Sequence, residues 1–224
     1  MSAILFGSIG TIVETSELQR RAFNEAFADH DLNWHWDQGV YRHMLATSGG
    51  VQRITAYAQM QGIEVNSKAI HLSKSIRFQR HLREADLLPR AGVTEVIGNA
   101  KENGFKLAFV TTTLRANIEA LFQSVQRHIR EDEFDTVIDL SHVSRAKPAR
   151  DAYEFALNQL DEESGTSLAI EDNVDGVTAA KASGLHCFAF PGSNTANHDY
   201  GHANEVVNAL EFDKLLYQLC DTAV

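Results

Sequence analysis

Four side chains in this sequence carry the charges and hydroxyls that handle ligands: Thr111, Lys147, Glu171 and Asp172. Thr111 closes the apolar run Leu107 to Val110, Lys147 precedes Pro148, and Glu171 and Asp172 follow the apolar run Leu168 to Ile170. Each also has an ordinary explanation. Thr111 can satisfy its own strand end. Lys147 can be solvated surface. The carboxylate pair can cap the following helix, which is compatible with a ligand role. The stretch from Ala3 to Thr15 gathers them. Ala3 to Phe6 reads as a short buried strand, broken at Gly7 and turning through Ser8-Ile9-Gly10-Thr11. A helix follows, with Ser16 read as its N-cap and Ser16/Gln19 as a capping box. A strand, a glycine-bearing loop and a helix mark the place where α/β proteins put a ligand. The backbone N–H groups of Ser8 to Gly10, with Thr111 and Lys147, form a nest for an anion.

These residues need a scaffold, and the apolar pattern supplies one. After the helix from Ser16 to Asp29 the chain stays helical to about Leu88, with segments at 40–45, 51–60 and 67–85. From Val93 the pattern alternates. Helices are expected at 93–103, 115–125, 149–160 and 174–182, and strands at 107–110, 136–140, 168–170 and 187–190. A last helical segment is expected at 205–219, with a break allowed near Glu211. Alternation of this kind means a parallel sheet with helices on both faces. About eighty mostly helical residues separate the first strand from the second, too many for one crossover. The expected organisation is an α/β core of residues 1–15 and 89–224 with a helical cap at 16–88.

The chain has 224 residues, 44% of them hydrophobic and 22% charged, and a net charge of -10 without a block of Lys or Arg, which argues against nucleic acid as a partner. No apolar run approaches the ~18 residues of a membrane span. The N-terminus has no basic region with a signal-type cleavage site. Cys187 and Cys220 make no disulfide framework and read as free thiols of a cytoplasmic protein. Trp34 and Trp36 read as a packing pair flanking an exposed His35.

Taken together, the motifs resemble those of the haloacid dehalogenase superfamily of phosphatases and phosphomutases. Phe6, Gly10, Thr11, Ile12, Val13 and Thr15 fit the family's first motif, Phe-Asp-x-Asp-Gly-Thr with its apolar pair. Leu107 to Thr113 resembles the second motif, and Ala146-Lys147-Pro148-Ala149-Arg150-Asp151-Ala152-Tyr153 the third. Glu171-Asp172-Asn173 through Gly184 is similar to the fourth. The segment Ser48 to Ile54, containing Arg53, looks like the cap segment of the beta-phosphoglucomutase-like branch, and the Thr111 run and long fourth motif look nearest to its sugar-bisphosphate phosphatases. Gln19 stands where that branch often has His.

The resemblance implies a doubly wound parallel α/β sheet with an inserted helical C1-type cap, and a cleft between the two. It implies phosphate held by Thr111, Thr112 and Lys147, substrate contact from Arg53 in the cap, and Mg²⁺ held by Asp172 and Glu171. It also exposes a loss. The family's nucleophilic Asp is Gly7 here, and its acid/base Asp is Ile9. Removing a nucleophile that works as part of a unit lowers rates on the order of 10⁶-fold. The expectation is an inactive phosphatase homologue that keeps a pocket for inorganic phosphate or a sugar phosphate, with weak Mg²⁺ binding. The alternative is an active Mg²⁺-dependent phosphatase with a non-standard nucleophile on a small phosphorylated metabolite. Ser8 is the candidate, although strand alternation points it away from the site. A third reading is a protein-interaction role for the cap surface.

Overall fold

The computed structural model describes residues 2–45 and 49–221. In chain order the elements are β1 (Ala3–Phe6), α1 (Ile9–Ile12), α2 (Ser16–Asp29), α3 (Gln38–Met44), α4 (Gly50–Gln61), α5 (Ser67–Glu84), α6 (Val93–Glu102) and β2 (Lys106–Val110). They continue with α7 (Arg115–Val125), β3 (Thr136–Ile138), α8 (Asp151–Leu160), β4 (Leu168–Glu171), α9 (Val174–Ala182), β5 (His186–Ala189), β6 (Glu205–Val206) and α10 (Phe212–Asp221).

The strands form one six-stranded sheet in the order β3-β2-β1-β4-β5-β6. Every pairing is parallel. β1 is central because it is apolar at every position and buried on both faces. Ile4 and Phe6 enter the layer that holds α6 and α7, while Ala3 and Leu5 enter the layer that holds α8 and α9. Winding begins at β1, runs outward through β2 and β3, then returns to β4 on β1's other side. The topological switch therefore lies between the carboxyl ends of β1 and β4, where open α/β sheets bind ligands. Phe6 pairs with Ile170, so Gly7 and Glu171 leave the sheet side by side.

The insert from α2 to α5 has an apolar core of its own, built on Phe23, Phe27, Trp36, Tyr41, Ile54 and Ile70. Trp36 is fully buried against Phe23 and Phe27, and His35 is exposed, as the sequence implies. Phe78 and Leu82 of α5 and Ala22 of α2 instead join the sheet-side core, so the base of the insert is packed onto the α/β layer.

Several local expectations are corrected. The residue before α2 is Thr15, and no side-chain cap bond forms there. Ser16 lies inside the helix, and the Gln19 side chain accepts a bond from Lys74 instead of closing a capping box. The strand after Phe134 stops at Ile138, because the Asp139 carboxylate takes the Ser141 N–H and folds the chain into a short 3-10 turn. The helical segment expected at 205–219 divides at the break allowed near Glu211, and its first part is not helical. Val207 N–H and Asn204 N–H bond to β5 carbonyls, making β6 the sheet edge, and the helix begins only at Phe212. Cys187 is buried and free, whereas the Cys220 side chain and Ser48 lie outside the described residues. Among the described residues no helix is long and apolar enough to cross a membrane.

Candidate functional site

The carboxyl end of β1 is where the candidate residues meet, and one ammonium joins them. Lys147 Nζ donates to the Gly7 carbonyl, to the Val110 carbonyl at 2.8 Å and to Glu171 Oε1 at 2.5 Å. It thereby ties the ends of β1, β2 and β4 together. Lys147 follows directly from the turn before α8 and leads into a cis Lys147–Pro148 bond. It also lies over the Tyr153 ring at 4.6 Å.

Glu171 has no exposed surface. Tyr153 O–H donates to its Oε1 at 2.7 Å. Burial pushes the Glu171 carboxyl up from its ordinary pKa, against the pull of Lys147; burial pushes the Tyr153 phenol well up too. A pair this buried tolerates loss of neither partner.

Gly7 is not among the glycines with left-handed backbone, so conformation does not demand glycine there. Space does. A Cβ at Gly7 would come within 3.0 Å of the Glu171 carboxylate and the Tyr153 hydroxyl. A Cβ at Gly176 would strike the same carboxylate, and one at Gly10 would strike Asp172 Oδ2. These glycines carve the room in which the two carboxylates sit. The spacing Gly7-x-x-Gly10 and the glycine five residues after Glu171 are the sequence signal for this, although by themselves they indicate only a loop and the family pattern.

Ile9 is 6% exposed and belongs to the same apolar core as Phe6, Ile12, Ala22, Phe78 and Leu82. It is a core residue at the junction of sheet and insert. Ser8 corrects the expectation drawn from alternation. The chain enters α1 directly after it, which swings the hydroxyl toward the fourth motif, and Ser8 Oγ donates to Asp172 Oδ1 at 2.7 Å. Asn173 Nδ2 donates to the same oxygen at 2.7 Å, and Asn173 also caps α9.

Thr111 is nearly buried, and its hydroxyl accepts the Thr113 N–H at 3.3 Å, the turn geometry of an ordinary strand end. Thr112 lies half-buried beside it. Among the described residues no three His, Cys, Asp or Glu side chains form a group able to hold a metal. Glu171 is engaged by Lys147 and Tyr153, Asp172 by Ser8 and Asn173, and position 7 offers no carboxylate. This donor set does not suit a divalent cation as it stands.

Three basic side chains gather in the insert. Arg53 of α4 is lowered from its ordinary pKa by burial, and the charge of Asp175, in the first turn of α9, pulls it back up. Asp175, like Tyr41, is thus within electrostatic reach of Arg53. His71 and Lys74 of α5 share its field. Burial, then the Lys74 charge, brings His71 down to about 4, and burial, then Arg53, brings Lys74 down to about 7. Lys74 Nζ donates to Gln19 Oε1 at 2.9 Å and lies over the rings of Phe23 and Phe78 at 4.8 and 4.7 Å. His71 and Lys74 were not singled out from sequence, since nothing local distinguishes them from other polar residues of an amphipathic helix.

The Lys74 value carries a signed prediction. Between about 7 and the ordinary lysine range, the unfolded chain binds the proton that the folded chain has lost. Stability should therefore gain with pH across that window. Melting temperatures should rise from pH 7 toward pH 9.5 less steeply in Lys74→Met than in the unmodified chain; equal slopes would remove Lys74 as the source.

The sheet order, the crevice at its switch point and the insert after β1 define a doubly wound α/β fold of haloacid dehalogenase type. The family described as haloacid dehalogenase-like hydrolase matches residues 1–184, and the chain belongs to it. Protein CbbY of Cereibacter sphaeroides is 36% identical over 212 residues, covering 93% of this chain and 92% of the relative. The crystal structure of CbbY from Rhodobacter sphaeroides in complex with phosphate superposes with a TM-score of 0.87 at 36% identity, covering 97% of this chain and 98% of that one. A mutant of that protein in complex with xylulose-(1,5)bisphosphate superposes equally, with a TM-score of 0.87, 36% identity and coverage of 97% and 98%.

Proposed function

We propose that this protein is a haloacid dehalogenase-type hydrolase homologue that has lost phosphoryl transfer and binds inorganic phosphate or a small sugar phosphate without turning it over. One observation carries the reading. The volume that a side chain at position 7 would need is filled by Glu171 and Tyr153, and Lys147 neutralises the carboxylate there. Phosphoryl transfer by this fold requires a nucleophile in line, supported by charge neutralisation around a metal. Position 7 supplies neither nucleophile nor metal ligand, and Ile9 cannot exchange a proton. Mg²⁺ binding is accordingly weak, in the millimolar range or worse.

In this reading residues 1–15 and 89–224 form the core and 16–88 the cap. Thr111, Thr112 and Lys147 face the phosphate from the core, and Arg53, with Lys74 and His71, faces it from the cap. The relatives support the ligand class, since CbbY has been crystallised with phosphate and, as a mutant, with a sugar bisphosphate.

Inorganic phosphate without Mg²⁺ should raise the melting temperature through ligand linkage. With Mg²⁺, a panel of sugar and aryl phosphates should release no phosphate above background. Turnover at or above ~1 per second would overturn the inactive reading. One specific contact favours the alternative of an active enzyme. Ser8 Oγ is hydrogen-bonded to a carboxylate that could act as its base. That reading requires turnover lost in Ser8→Ala and a phosphoserine on the trapped protein.

A further inference from the structure

The loop 191–200, between β5 and β6, grips the insert at one end and the candidate site at the other. Asn194 is 2% exposed although it lies on a loop. Its Nδ2 donates to Glu17 Oε1 at 2.7 Å and to Ser16 Oγ at 3.1 Å, both in α2. Its Oδ1 accepts from Arg42 Nε of α3 at 3.0 Å. Ser193 N–H donates to Glu14, in the link that leads into α2, at 2.6 Å. The root of the loop is fixed on Asp172. Thr195 Oγ1 and Tyr200 O–H each donate to the Asp172 carbonyl at 2.9 Å. Arg90 stacks on Phe190 and donates to the carbonyls of Phe190, Pro191 and Gly10, which ties the loop's start to the turn after β1.

The two attachments of the insert differ in kind. On the α5 side Phe78 and Leu82 are buried in the sheet-side core, and opening that contact would expose apolar surface. On the α2–α3 side the attachment to the loop is polar. Such bonds exchange for water with a small net change in free energy. Ala22 of α2 is buried with Phe78 and Leu82, so it is the polar contact of the loop with α3 and the start of α2 that opens more readily.

We infer that the loop 191–200 is a strap that couples the position of the helical insert to the Ser8–Asp172 end of the sheet, with Asn194 as its grip and Thr195 and Tyr200 as positioning residues for Asp172. Release of Asn194 frees α3 and the start of α2 from the loop and loosens Asp172 at the same time.

Amide hydrogen exchange on the full chain tests this. Asn194→Asp keeps an acceptor for Arg42 but sets a carboxylate against Glu17. Exchange should rise about tenfold at 15–20, and also at 8–11 and 171–173, while 38–45 stays as it was. Asn194→Ala should add a rise at 38–45. A rise confined to 191–200, or a uniform rise across the chain, would overturn the strap. Should the Asn194 variants fail to fold, Arg42→Gln at the exposed end of the same link gives the decision. It should raise exchange at 38–45 and at 171–173, and unchanged exchange at 171–173 would overturn the coupling.

Discussion

Asp at both position 7 and position 9 will lower stability by several kcal/mol without divalent metal, and millimolar Mg²⁺ will recover part of the loss. The new carboxylate at 7 enters space held by Glu171 and Tyr153, beside Asp172. Its backbone accepts a side chain, since Gly7 is not left-handed, so the cost is electrostatic and steric. The change at 9 buries a carboxylate among Phe6, Ile12 and Phe78. Mg²⁺ offers the new group what Lys147 now gives Glu171. With metal bound, the double variant should hydrolyse small phosphate esters weakly, because one Asp supplies nucleophile and ligand and the other the proton. Gly7→Asp alone should at most accumulate phosphoprotein. Melting curves with and without Mg²⁺, with a phosphate-release assay, check this. A double variant that folds, binds Mg²⁺ and stays inert would show that divergence reaches beyond the first motif, and an interaction role would then lead.

Lys147→Met will be the most destabilising single change at the site, costing about 3–5 kcal/mol, because it leaves Glu171 charged and unpaired in a dry environment. In a chain of this size that is a fall in melting temperature on the order of 10 °C. The damage should be pH-dependent. Without Lys147 only the Tyr153 hydrogen bond opposes burial, so the Glu171 pKa rises further above its unfolded value. An acid raised on folding favours the folded state below its unfolded pKa and loses that contribution as pH climbs through the folded one. The variant should therefore recover toward acid pH. Glu171→Leu added to Lys147→Met should restore most of the loss at pH 7. If Lys147→Met melts like the unmodified chain, the ammonium is solvated and the ion pair is not what the geometry shows.

The sequence made the central strand, the switch-point ligand site and the positions of Thr111, Lys147, Glu171 and Asp172 readable, because these follow from apolar runs and from motif spacing. What it hid came from tertiary competition for polar groups. Gln19 has the spacing of a helix cap, yet Lys74, 55 residues away, claims its oxygen. Val206 and Val207 continue a helical period, but free hydrogen-bonding groups on β5 draw them into an edge strand. Ser8 follows strand alternation only if the strand continues, and here a helical turn begins directly after it. The filling of position 7 was invisible for the same reason, since a missing side chain does not say what will move into its place.

The joint of three strand ends on Lys147 has a consequence for affinity. Glu171 is, in effect, a resident competitor on the chain itself, held beside the ammonium at a local concentration that short tethers put in the millimolar range or above. Any anion that seeks Lys147 must displace it, and the dissociation constant seen from solution is weakened by that occupancy. A lone monoanion has little leverage in such an exchange. A dianion that also reaches Arg53 across the crevice is bivalent, and its second contact multiplies the first. In the proposed reading the resident carboxylate would act as a filter on ligand charge and span, set by the protein's own covalent structure.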